Sequence, residues 1–179
     1  MRLQPGDYAP PIDLPSFEGT PFNLQANRGR WLLLSFYRYA SCPFCNLRIH
    51  NLSKESARLK GLGLDLVAVF QSPEAKVREH AGGRNLTYPI LCDPTEDLYR
   101  QYGVETSWAG FFGGMMLKMP KMFNAFFKGY LPGSMEGHIN RMPADFLIAP
   151  DGTIRLAYYG SDLADHLSLN EVIQVLPQG

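Results

Sequence analysis

The sequence predicts a single α/β domain over residues 1–179, and three patterns carry that prediction. Continuous apolar runs, typical of strands buried on both faces, alternate with helical patterns. A later pair of apolar segments around a Pro-Asp-Gly turn predicts a β-hairpin, and a terminal helix follows it. This order is typical of a central mixed sheet flanked by helices. The predicted strands cover residues 31–37, 64–71, 88–92, 145–149 and 153–159.

Local signals place the shorter elements. Apolar residues 12–14 and 22–24, on either side of a Gly-containing turn, predict a small N-terminal hairpin. Asp93 is expected to begin a helix, with Glu96 reaching back to it from the third helical position. Ser168 predicts a capping box at the start of the last helix.

Composition and charge exclude several classes of function. Hydrophobic residues make up 45% of the 179 residues, which is enough apolar surface to offset the entropy cost of folding. Seventeen Lys and Arg balance seventeen Asp and Glu, so the basic surface of a nucleic-acid-binding protein is not expected. The first ten residues have no basic segment leading into an apolar run. We therefore expect a cytoplasmic protein.

A C-x-x-C motif lies between the first buried strand and the first turn of the helix after it. The N-terminal end of a helix stabilises the thiolate form of a cysteine, which is the reactive form. Cys45 shares an apolar stripe with Ile49 and Leu52, so its side chain should point inward. Cys42, at the tip with Pro43 in the first turn, should be the more exposed and more acidic thiol. These residues favour Cys42 as the nucleophile and Cys45 as its resolving partner.

Two other interpretations of the motif are open: a chance pair of small buried residues, or half of a zinc site. A structural zinc site needs a second pair of ligands. The remaining candidates are isolated from one another in the sequence, so we expect neither a metal nor an organic cofactor. They are Cys92, which ends an apolar strand as a small hydrophobic residue, and His50, His80, His138 and His166.

Three segments carry a family resemblance. Residues 36–45 (FYRYASCPFC), the upstream Gly6-Asp7-x-Ala9-Pro10 and the downstream residues 142–148 (MPADFLI) are together similar to the peroxiredoxin-like branch of the alkyl hydroperoxide reductase and thiol-specific antioxidant family. The resemblance implies a thioredoxin-like fold for most of the chain outside an insertion at about 104–142.

The resemblance and the local chemistry disagree about the attacking cysteine. The family's peroxidase pattern is Pro-x-x-x-Thr-x-x-Cys, and this register makes Cys45 the peroxide-attacking residue. It also places Arg38 where the family has Pro, and Cys42 where it has the peroxide-binding Thr. Both cysteines therefore remain catalytic candidates, with Cys42 favoured.

Supporting residues flank the two motifs. Arg38 and Arg141 could stabilise the thiolate and donate hydrogen bonds to a peroxide oxygen, or could be surface charges. The resemblance implies a cis peptide bond at Pro143, lying against the cysteines, the alternative being an ordinary trans turn proline. Together with Pro143, the residues expected to contact substrate are Met142, Pro43 and Phe44.

The insertion at about 104–142 is unusually rich in Met and Phe. Beyond Met115 a helical pattern places Met115, Met119, Met122 and Phe126 on one face, while Pro120 would kink it. Its lysines and this proline argue against a membrane-spanning segment. Three roles are open: packing on the core or in a homodimer, an adaptable site for an apolar substrate or protein, and a membrane-surface helix.

The combined prediction is a thiol-dependent oxidoreductase that reduces peroxides through the Cys42/Cys45 pair. Disulfide exchange is the first alternative, because the C-x-x-C is present and the threonine is missing. A binding protein that uses the Met-rich insertion, with the cysteines as a redox switch, is the second. The expected partners are a peroxide or disulfide substrate and a thioredoxin-like or low-molecular-weight thiol reductant.

Overall fold

A computed structural model describes residues 1–81, 86–117, 127 and 133–177. Its strands are β1 (Asp13–Pro15), β2 (Pro21–Asn23), β3 (Trp31–Phe36), β4 (Leu64–Phe70), β5 (Ile90–Cys92), β6 (Ala144–Ile148) and β7 (Ile154–Tyr159). Its helices are α1 (Pro43–Gly61), α2 (Glu74–Ala81), α3 (Asp97–Gln101), α4 (Trp108–Leu117) and α5 (Leu169–Val175).

The main sheet has five strands in the order β5-β4-β3-β6-β7. Strands β3, β4 and β5 are parallel, whereas β6 and β7 run antiparallel to their neighbours. β1 and β2 form the predicted separate N-terminal hairpin. The mixed α/β sheet and the C-terminal hairpin are therefore confirmed.

The alternation of side chains along β3 divides the core into two faces. Leu32, Leu34 and Phe36 pack with the N-terminal hairpin and α3. Leu33 packs on the opposite face with residues of α1 and α5, and Tyr37, just after the strand, packs on that face near the start of α1. The cysteine motif therefore lies on the α1 face, at the carboxyl end of the central strand.

Two local expectations need correction. The helix after Asp93 begins later than predicted, because Glu96 takes a left-handed conformation with φ 58° and makes no capping bond. Asp93 still caps this turn, since its carboxylate accepts from the backbone N–H of Asp97 at 3.2 Å and of Leu98 at 2.8 Å. The capping box of Ser168 is present as predicted.

The insertion is described only in part. α4 lies near its start, and Trp108 and Phe112 on this helix are 55% and 59% exposed. The predicted face formed by Met119, Met122 and Phe126 lies outside the described residues, as does Pro120. None of the helices in the described part of the chain has the length and hydrophobicity that crossing a bilayer requires.

Candidate active site

Cys42 is the N-cap of α1. Its extended backbone (φ −62°, ψ 117°) directs the chain from β3 into the helix, and Pro43 occupies the first turn, where its missing N–H costs nothing. The Cys42 sulfur accepts a hydrogen bond from the backbone N–H of Cys45 at 3.3 Å. A sulfur therefore stands where helices commonly place a serine or aspartate oxygen.

A buried arginine lies beside this sulfur. Arg38, only 2% exposed, donates from Nη2 to the Cys42 sulfur at 3.0 Å and from Nη1 to the carbonyl of Ile139 at 3.0 Å. Its guanidinium also lies 5.1 Å from the centre of the Tyr39 ring. The Nε–H of Arg38 is also buried, and it has no hydrogen-bond partner among the described residues. The surface-charge interpretation of Arg38 is wrong.

The two cysteines are free thiols with opposite pKa shifts. Burial acts to raise the pKa of Cys42, but the thiol hydrogen bond from Cys45, the charge of Arg38 and the Cys45 N–H together lower it from 9.0 to about 6. Burial and the neighbouring Cys42 sulfur, 2.6 Å from its own, raise the pKa of Cys45 well above 9.0. At neutral pH this arrangement holds Cys42 as a thiolate and Cys45 as a thiol that donates to it.

The expectation that Cys42 is the more exposed thiol is wrong. Cys42 is 0% exposed and Cys45 is 2% exposed. Both belong to an apolar cluster that also contains Met142 and Leu163, with Ile139 packed against it. Residues about one hundred positions later in the sequence, including Ile139 and Met142, therefore cover the N-terminal end of α1.

The structure does not bring Arg141 to the sulfurs. Its guanidinium donates to the carboxylate of Glu96, to the carbonyl of Val104 at 2.7 Å and to the side chain of Gln71 at 3.3 Å. It also lies over the Tyr99 ring at 4.9 Å. Arg141 is 6% exposed, so it is a buried anchor of its own segment and not a surface charge.

Two of the expected substrate-contacting residues, Met142 and Phe44, pack with the cysteines, and the backbone at Pro143 differs from the expectation. The peptide bond before Pro143 is trans, so the implied cis bond is wrong, and the Pro143 carbonyl accepts from the Gly160 N–H at 2.9 Å. Met142 is buried in the cysteine cluster, and Phe44 is in the same cluster and 8% exposed. Phe44 also lines a groove with Arg48 and His166.

Sequence reasoning missed a buried polar cluster beneath α1. The Asp145 carboxylate accepts from Ser35 at 2.5 Å, from the Leu167 N–H at 2.8 Å and is paired with His166 Nδ1 at 2.9 Å. Burial works against ionisation, yet His166, Arg48 and Ser35 hold the pKa of Asp145 below its ordinary value. A lone acidic residue inside the apolar run DFLIA was the available signal.

A second missed group links residues 133–142 to the loop after β4. Gln71 and Ser72 donate to this segment, a contact that no pattern in the sequence indicated. Among the described residues there is no group of three or more His, Cys, Asp or Glu that could hold a metal ion.

The chain is similar to several known proteins, in sequence and in fold. Peroxiredoxin Bcp of Escherichia coli K12 is 30% identical over 110 residues, which are 60% of this chain and 70% of that protein. A Mycobacterium tuberculosis relative, assigned by name to the peroxiredoxins, is 30% identical over 57% of this chain, and the match spans 65% of the relative's length. The crystal structure of peroxidoxin BcpB from M. tuberculosis has a TM-score of 0.69 at 18% identity and covers 98% of this chain and 97% of its own.

The match to a family model extends well beyond the cysteine motif. The model of the AhpC/TSA family matches residues 5–157, from the N-terminal arm through β7. The structural neighbours are thioredoxin-like, which agrees with the fold described above. The chain belongs to the AhpC/TSA family.

Proposed function

We propose that this protein reduces peroxides with the Cys42 thiolate as the attacking group and Cys45 as the resolving thiol. The observation that carries the proposal is the set of three donors on the Cys42 sulfur: Arg38, the Cys45 backbone and the Cys45 thiol. They favour the charged, nucleophilic form of this sulfur at neutral pH. The family membership and the relatives named as peroxiredoxins support the same chemistry.

The first step oxidises Cys42. Its thiolate attacks one peroxide oxygen, the O–O bond breaks, and the other oxygen leaves as hydroxide or alkoxide, which takes up a proton from solvent to become water or an alcohol. Among the described residues the buried Nε–H of Arg38 has no partner, and it is a donor that a peroxide oxygen beside the sulfur could use. The product is a sulfenic acid at Cys42.

The second step forms the disulfide. The Cys45 sulfur attacks Cys42, an S–S bond replaces the S–O bond, and the departing hydroxide takes up the Cys45 proton to leave as water. A thioredoxin-like protein or a low-molecular-weight thiol then supplies the two electrons that restore both thiols. The adjacent sulfurs need little rearrangement for this step.

The test measures the second-order rate at which the reduced full chain consumes hydrogen peroxide, with mass analysis of the product. Cys42→Ser should reduce the rate to that of an ordinary thiol. Cys45→Ser should still react once and stop at a sulfenic acid that dimedone traps. Cys92→Ser is the matched control and should behave as the wild type, because Cys92 has a pKa raised to about 11 by burial.

Two outcomes would overturn parts of the proposal. If Cys45→Ser loses the first oxidation and Cys42→Ser retains it, the family register is correct and the roles are reversed. If the wild type reacts no faster than Cys42→Ser, the protein is not a peroxidase of this kind.

Disulfide exchange is the second candidate, because Cys42 stands where the family's peroxidase pattern has its threonine. The same thiolate would attack a substrate disulfide and release one thiol, and Cys45 would then release the other. Measuring the reaction of the reduced protein with glutathione disulfide separates the candidates. A much faster reaction with glutathione disulfide than with peroxide would favour exchange.

A further inference from the structure

The segment 133–142, here termed the cover, lies over the Cys42 sulfur. The same guanidinium that binds this sulfur also binds the cover, since Arg38 donates to the Ile139 carbonyl at 3.0 Å. Ile139 packs against the cysteine cluster, whereas Ser134, Met135 and His138 are exposed. The cover is therefore thin, with one side on the active site and the other in solvent.

Three side chains from the active-site loops hold the cover in place. Gln71 Nε2 donates to two of its carbonyls, those of Glu136 at 2.8 Å and His138 at 3.0 Å. Ser72 donates to the Glu136 carboxylate at 2.8 Å, and Ser41 donates to the Ser134 carbonyl at 2.6 Å. These contacts involve residues 134, 136 and 138 of the cover, so exposing the site by moving the whole segment would break all of them.

The approach between the cover and its support is too close for larger residues. A Cβ added at Gly137, where φ is +68°, would lie 2.9 Å from the Gln71 side chain. A Cβ at Gly133 would lie 2.7 Å from the His80 imidazole. At the far end Arg141 anchors the segment to Glu96 and to the Val104 carbonyl. Because Gly133 and Gly137 have no side chain, the backbone of the cover can lie in direct contact with His80 and Gln71.

A fully covered sulfur restricts what can react with it. Because Cys42 is 0% exposed, any oxidant must displace part of the surrounding structure. Hydrogen peroxide is about the size of two water molecules and needs only a small local displacement. A hydroperoxide with an aromatic or long alkyl group needs more space than this, and lifting the cover to make that space would break the hydrogen bonds from Gln71 and Ser72.

We propose that the cover makes this protein selective for hydrogen peroxide over bulky organic hydroperoxides, and that Gln71 and Ser72 are specificity-determining residues. The proposal rests on the proposed peroxidase function. Neither side chain touches the reacting sulfur in this arrangement. Their effect is on access, so changing them should alter the ratio of two substrates more than the rate with the smaller one.

The test compares the rates at which the reduced full chain reacts with hydrogen peroxide and with cumene hydroperoxide. The wild type should react with hydrogen peroxide at least about tenfold faster, and Gln71→Ala should raise the cumene hydroperoxide rate about tenfold, since two hydrogen bonds of ordinary net strength are lost. The hydrogen peroxide rate should change little. Ser72→Ala should act in the same direction with a smaller effect.

Gln101→Ala, an identical substitution at an exposed position on α3, is the matched control and should leave both rates unchanged. Equal rates of the wild type with both peroxides would overturn the proposal, as would an unchanged ratio in folded Gln71→Ala and Ser72→Ala. If Gln71→Ala does not fold, the wild-type ratio and Ser72→Ala decide the matter. Failure of the peroxidase function is distinct, because then neither peroxide would react faster than with Cys42→Ser.

Discussion

Cys42 and Cys45 are both buried, lie one helical turn apart and have sulfurs in contact, yet their pKa values shift in opposite directions. Burial raises both pKa values. The Arg38 charge acts on both sulfurs, but the guanidinium hydrogen bond and the two hydrogen bonds from Cys45 go to Cys42. Local hydrogen-bond donors, and not exposure to water, therefore decide which of the two buried thiols ionises.

Removing the Arg38 charge should have the largest effect on this difference. Arg38→Met keeps the length of the side chain but removes the donor to Cys42, so the Cys42 pKa should rise by about 1–3 units. The peroxide rate at neutral pH should fall about tenfold or more. Thiolate absorbance at 240 nm during a pH titration measures the pKa directly.

Arg48→Met is the control for this substitution. Arg48 is on α1, the helix that begins at the cysteine motif, but its Nη2 donates to the Leu167 carbonyl and not to a cysteine. The Cys42 pKa should therefore stay near 6 in this variant. An equal pKa rise in both variants would mean that the general positive charge around the start of α1, and not the Arg38 contact, stabilises the thiolate.

The Cys42 pKa also predicts how stability depends on pH. The pKa in the folded protein is about 6, below the ordinary value of 9.0, so the unfolded chain binds more protons between these values and stability rises with pH across that window. At about 1.4 kcal/mol per pKa unit, the gain across the whole window is on the order of 4 kcal/mol. It is lost as the pH falls through 6.

Urea unfolding of the reduced protein at pH 6 and pH 8.5, compared with reduced Cys42→Ser, measures this gain. Subtracting the variant removes contributions from other titrating groups. If both proteins change stability equally over this range, the Cys42 thiolate is not preferentially stabilised in the folded state.

The sheet and helices could be predicted from sequence because their signals are local. The apolar runs at 31–37 and 64–71 match β3 and β4, and the C-x-x-C falls at the start of α1. The exposure of Cys42 could not be predicted in this way, because the cover at 133–142 comes from a segment far along the chain. The sequence around the start of α1 gives no signal of which distant segment packs on it.

Glu96 shows the same limit on a smaller scale. Its place three residues after Asp93 predicted a capping role, but it takes a positive φ and pairs with Arg141. The partners of Arg141 could not be predicted for the same reason, since its proximity in sequence to Pro143 does not reveal Glu96 or Val104. Arg38, four residues from Cys42, was within reach of local reasoning.

The polar cluster beneath α1 should affect stability and not the Cys42 pKa. Asp145→Asn removes a buried charge that pairs with His166, so the free energy of unfolding should fall by about 2–4 kcal/mol at neutral pH. The Cys42 pKa should remain near 6, because the groups that lower it against burial are Cys45 and Arg38. Urea unfolding and the 240 nm titration give the two values on one sample. A shift of the Cys42 pKa toward 9.0 would contradict this separation of the two regions.

Tyr37 offers the smallest and sharpest test of how this part of the core is built. It is 0% exposed, and its ring lies 5.1 Å from the His166 ring, but its hydroxyl has no hydrogen-bond partner among the described residues. A buried hydroxyl without a partner costs free energy, so Tyr37→Phe should stabilise the protein by about 1 kcal/mol. Phe70→Leu, which disturbs the aromatic ring stacked on Tyr37 at 5.4 Å, is the contrasting control and should destabilise it. A loss of stability in Tyr37→Phe would show that the hydroxyl is hydrogen-bonded in solution, with a buried water as the natural partner.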